Sequence, residues 1–66
     1  MAFEDLTDGE LNDSAMACRA LAFTRRKDAD ANPGGTYTGI FLADAERLER
    51  LAARYQAEID RRRAHA

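Results

Sequence analysis

The sequence predicts an all-α fold: an antiparallel two-helix hairpin, with helices over about 8–31 and 37–63, assembling into a helical-bundle homo-oligomer. Three observations carry that prediction. A capping signal opens a long stretch that contains no helix breaker. The single proline and three of the four glycines then fall together in "NPGGTYTG", residues 32–39. Beyond them, apolar residues recur at alternating four- and three-residue intervals to the arginine run at 61–63. All 66 residues make one domain, with an N-terminal arm at 1–6, a turn at 32–36 and a frayed tail at 64–66.

The first helix starts at Thr7-Asp8-Gly9-Glu10, which has the spacing of a capping box. There the Thr hydroxyl accepts from the backbone N–H three residues on, and the Glu side chain reaches back. Leu6 and Leu11 occupy the two positions of a hydrophobic staple, and Asp8 and Glu10 suit the positive end of the helix dipole. Gly9 weakens this first turn slightly. No breaker follows before Asn32-Pro33, so the helix extends to Ala31.

The second helix begins inside "TYTGIF", with Thr36 or Thr38 as the expected cap. Its apolar residues Phe41, Ala45, Leu48, Ala52, Tyr55 and Ile59 form an a/d seam, widened by Ile40 and Leu51. Glu46–Arg50 and Glu58–Arg62 are i,i+4 pairs in the favourable order, and Arg61 to Arg63 suit the negative end of the dipole. In an antiparallel hairpin the acidic start (Glu4, Asp5, Asp8, Glu10, Asp13) lies beside those arginines. Exposed pairs of this kind set direction more than energy.

In "AMACRALAF", residues 15–23, only Arg19 is polar. A helix packed on one neighbour needs one apolar stripe, and this segment is apolar almost all round. If Ala15, Cys18 and Ala22 face the second helix, then Met16, Ala20 and Phe23 project elsewhere and call for another chain. The expected subunit interface is therefore Met16, Ala20, Phe23, Phe41, Leu48, Leu51 and Tyr55. A chain this short also gains from a partner, because its own core is small.

Composition narrows the functional classes. Twelve acidic against ten basic residues give a net charge of −2, against general polyanion binding, and nucleic acid is not an expected partner. With one cysteine, an intrachain disulfide is excluded, and Cys18 and His65 are too far apart in sequence to suggest a metal site. No cofactor is expected. No apolar run approaches the ~18 residues of a membrane span, and the acidic N-terminus lacks a signal-peptide pattern. A cytoplasmic location is expected. Catalysis is not, since Cys18 lies on an apolar face and the carboxylates follow helix-end and ion-pair logic.

One candidate binding site remains, at the hairpin tip. Arg25, Arg26 and Lys27 are consecutive near the end of the first helix, opposite Thr36, Tyr37 and Thr38 at the start of the second. Helix N-termini offer unpaired N–H groups to anions, glycine allows close approach to backbone, and a tyrosine ring can stack on a base. With Arg19, these residues form a candidate site for a phosphorylated nucleotide. Each has an ordinary structural role as well: dipole complement, turn and cap. No P-loop pattern is present.

"LTDGELNDSAMACRALAF" followed by "ADAERLERLAARYQ" resembles the small helical-hairpin proteins of phages and prophages. That resemblance implies a stoichiometric binder: either an anti-defence protein that blocks a host protein, or an oligomeric sponge that sequesters nucleotide signals. The leading expectation is a nucleotide sponge using the tip. The alternative is a protein–protein inhibitor or adaptor using the apolar face of the first helix or the arginine face of the second.

Overall fold

The computed structural model describes residues 3–65. A 3-10 turn, Phe3–Asp5, precedes helix α1, Asp8–Ala31, and helix α2, Thr38–Ala64. The helices are 24 and 27 residues long and pack along their length, giving a rod 47 × 17 × 16 Å. The described residues contain no strand, so the fold is the expected all-α hairpin. Met1 and Ala2 of the expected arm, and Ala66 of the expected tail, lie outside the described residues.

α1 starts at the capping box. The Glu10 N–H donates to Thr7 Oγ1 at 3.1 Å, and the Thr7 N–H donates to Glu10 Oε1 at 2.8 Å. These bonds satisfy donors that the helix itself leaves without partners. The turn between the helices closes through two i→i+3 bonds: Gly35 N–H to the Asn32 carbonyl at 3.0 Å, and Thr38 N–H to the Gly35 carbonyl at 3.2 Å. Pro33 precedes Gly34, whose φ is 75°, the arrangement of a type II turn that a side chain at Gly34 would strain.

The second cap differs from expectation. Tyr37 occupies the N-cap position and makes no side-chain cap bond, and the Thr38 hydroxyl donates back to the Asn32 carbonyl. The C-terminal carbonyls of α1 have no partners in their own helix, and Thr38 is in reach of one of them. Its hydroxyl thus fastens the turn instead of capping α2.

The core is a thin seam in two parts. Leu11, Ala15, Tyr55 and Ile59 form one cluster, with Phe3, Leu6 and Leu51 packed against it. Ala22, Ala45 and Leu48 form the other, and Cys18 touches both. Leu6 and Leu11 thus share a cluster as the staple requires. The Phe3 ring stands 4.8 Å from that of Tyr55, centroid to centroid, so this part of the arm packs onto the core. Ile40 does not widen the seam, because it is exposed. The tilt of consecutive side chains by about 100° prevents Ile40, Phe41 and Leu42 from all facing α1.

Ion pairs lock the two flanks. Arg62 Nη1 donates to Asp8 Oδ1 at 2.7 Å, Nε to Glu58 Oε2 at 2.9 Å and Nη2 to the Phe3 carbonyl at 3.2 Å. The expected contact between the acidic start and the terminal arginines is therefore present, as is the Glu58–Arg62 pair. Glu46–Arg50 is not among the ion pairs of the described residues.

Candidate functional site

At the tip, each cation of α1 has a structural neighbour. Arg25 Nε donates to Asp44 Oδ2 at 3.0 Å, and its Nη1 lies 3.8 Å from Asp28. Arg26 grips Glu49 with two parallel bonds of 2.8 and 2.6 Å, the bidentate geometry that makes guanidinium–carboxylate pairs specific. The ammonium of Lys27 sits 5.5 Å from the Phe23 ring centroid, within range of a cation–π attraction. Arg19 reaches across to Gln56 Oε1 at 3.1 Å, and Gln56 in turn donates to Asp60 at 3.0 Å.

The charges respond to these contacts. Hydrogen bonds from Arg47 and then Arg25 lower the Asp44 carboxyl below its ordinary range. The Arg26 hydrogen bond does the same for Glu49, and Glu49 raises Arg26. Arg25 and Arg26 therefore serve as clasps between helices. Their positions explain why: α1 runs one further turn to Ala31, and its last turn holds Asp28 and Asp30 but no base. The three cations stand too early in the helix to complement its C-terminal dipole, which acts within the last turn.

The turn residues line a shallow recess made by Asn32, Gly35, Thr36, Tyr37, Thr38 and Phe41. Tyr37 is 62% exposed, with its ring 6.4 Å from Phe41. No cation lines this recess, and the Thr38 hydroxyl is already engaged. The structure thus brings Thr36, Tyr37 and Thr38 together but directs Arg19, Arg25, Arg26 and Lys27 to other neighbours.

The outer face of α1 has a different character. Met16 is 58% exposed and Phe23 64%, and Ala17, Ala20 and Leu21 are exposed with them. These five fall within an eight-residue span of helix and give an apolar surface that α2 does not cover. Ala15 and Ala22 are buried against α2 and Cys18 is half-buried, as the spacing in this segment requires.

The residues expected at a subunit interface divide into two groups. Met16, Ala20 and Phe23 lie on this outer face. Leu48 and Tyr55 are only 6% and 8% exposed in the hairpin's own seam, and Phe41 and Leu51 are half-buried. Sequence reasoning missed Leu42, exposed beside Ile40. It expected an arginine face on the second helix without naming its members together; Arg47, Arg50 and Arg54 line one surface recess with Leu51. Their three- and four-residue spacing was the available signal.

Among the described residues no three His, Cys, Asp or Glu side chains are placed to hold a metal ion, and no helix is long and apolar enough to cross a membrane. No protein family, curated protein or solved structure matches the chain.

Proposed function

We propose that this protein is a non-catalytic binding protein whose working surface is the outer face of α1, a docking site for another protein chain. The observation that carries the proposal is the exposure of Met16 and Phe23 within residues 15–23, a stretch of helix apolar except for Arg19. Contiguous apolar surface of this kind is costly to leave in water and marks interaction sites. Aromatic and methionine side chains are also enriched at the centres of protein interfaces. Under the phage resemblance, a foreign partner would be a host protein that the hairpin blocks or recruits.

Native mass spectrometry of the full chain with any captured protein tests this reading, using Phe23→Asp as the control. A stoichiometric complex, lost in the variant while helicity is unchanged, is the expected result. Capture undiminished by Phe23→Asp, or a chain that associates with nothing including itself, counts against it.

A second reading retains the phosphorylated nucleotide at the tip, supported by the exposed Tyr37 ring beside the recess. It is the weaker one because Arg25 and Arg26 are held by Asp44 and Glu49, so phosphate would have to displace existing pairs. Calorimetry against cyclic and linear nucleotides addresses it, with binding abolished by Tyr37→Ala as its signature.

A further inference from the structure

The geometry points to a second copy of this chain as the occupant of the α1 outer face, paired antiparallel along a seam of Asp13, Met16, Ala20, Phe23 and Lys27. This inference rests on the docking-surface reading above and names its partner. The five residues are three, four, three and four apart, the rhythm of a two-helix seam. All five are exposed. They run along the opposite side of α1 from Leu11, Ala15, Ala22 and Ala29, which are buried. The seam spans fifteen residues, Asp13 to Lys27, or about 21 Å of helix between its ends.

The order of charge along the seam selects the partner and its direction. Asp13 stands at one end and Lys27 at the other, and neither has an ion pair in its own chain among the described residues. A parallel pairing would set Asp13 against Asp13 and Lys27 against Lys27. An antiparallel pairing, with the twofold axis beside Ala20, sets each Asp13 against the partner's Lys27. Such self-complementarity is what a closed twofold interface demands, and an unrelated protein would have no need of it.

Packing along the seam agrees with the charges. Ala20 lies at the midpoint, where a side chain of one carbon lets the two helices come within about 8–10 Å. Met16 and Phe23 then cover its two flanks. The monomer has reason to accept this partner, since five of its nine buried hydrophobic residues are alanines. A core this thin is the situation in which small folds recruit further chains. In the resulting four-helix assembly α2 stays outermost, so the Arg47, Arg50 and Arg54 surface is displayed twice.

Sedimentation equilibrium on the full chain and three charge variants tests the proposal. The wild-type chain is expected at twice its 7.3 kDa mass. Asp13→Lys and Lys27→Asp, at exposed positions where helicity should persist by circular dichroism, should each weaken the dimer roughly five- to thirty-fold, because two symmetric pairs are reversed. The combined variant D13K/K27D should restore wild-type affinity. A parallel dimer opposes like charges in every variant and gives no rescue, so a dimer without rescue overturns the proposal.

A chain that is monomeric at all concentrations also overturns it. If that monomer still captures another protein through Phe23, the docking-surface reading stands and only the second copy falls. A dimer unaffected by Phe23→Asp overturns both.

Discussion

Arg62 and Glu58 show how much a single residue can organise in so small a protein. The Arg62 guanidinium bonds to the 3-10 turn, to α1 and to α2 through Phe3, Asp8 and Glu58. Glu58 accepts from Arg61 as well, at 2.8 and 2.6 Å. Hydrogen bonds from Arg61 and then Arg62 bring the Glu58 carboxyl from 4.5 down to about 2. Its folded pKa lies below its unfolded value, so its stabilisation is present in full above pH 4.5 and disappears as the pH falls toward 2. Thermal melts of wild type and Glu58→Gln should therefore differ at neutral pH and converge near pH 2. A difference that persisted unchanged to pH 2 would show that the carboxylate charge is not the source.

At the scale of elements, local chemistry does most of the work for α1 and less for α2. Thr7 and Glu10 exchange two bonds across the first turn, so Thr7→Ala should cost about 1 kcal/mol of stability in urea denaturation. Thr7→Asn should keep most of it, because Asn is as good a cap. α2 has no side-chain cap and depends on packing and on the turn before it. This explains why the sequence suggested Thr36 or Thr38 as the cap: both are residues that cap well, and nothing local reveals that the Asn32 carbonyl engages Thr38. The tip cations have the same explanation. Three consecutive bases look like a cluster in the sequence, but residues 100° apart around a helix diverge, and the acids that receive Arg25 and Arg26 come from α2.

For the whole molecule, stability rests on close approach of two helices along small residues. Ala15 and Ala45 are completely buried, and Ala22, Ala29 and Ala52 nearly so. Ala45→Leu should push the helices apart and cost about 1–3 kcal/mol, while Ala53→Leu, at an exposed position of the same helix, should be close to neutral. Thermal denaturation of the two variants compares them directly, and equal effects would mean that the seam is not tightly packed. The same thinness of core gives the proposed pairing through the outer face of α1 its physical motive.

The hairpin itself was legible from residue order alone. Capping box, breaker-free stretches, the Asn-Pro-Gly-Gly turn and the four–three spacing are all short-range features, and each acts within a turn or two of its own residues. The excess of apolar surface on α1 was legible for the same reason, since a helix has a fixed period and one neighbour can cover only part of its circumference. Which partner each long side chain takes was not. Arg19, Arg25, Arg26 and Arg62 find acceptors 19 to 59 residues away in the chain, and only the register of α1 against α2 brings those atoms within reach. That register also left Ile40 outside the seam, because burial depends on how two curved surfaces meet rather than on the period of either one.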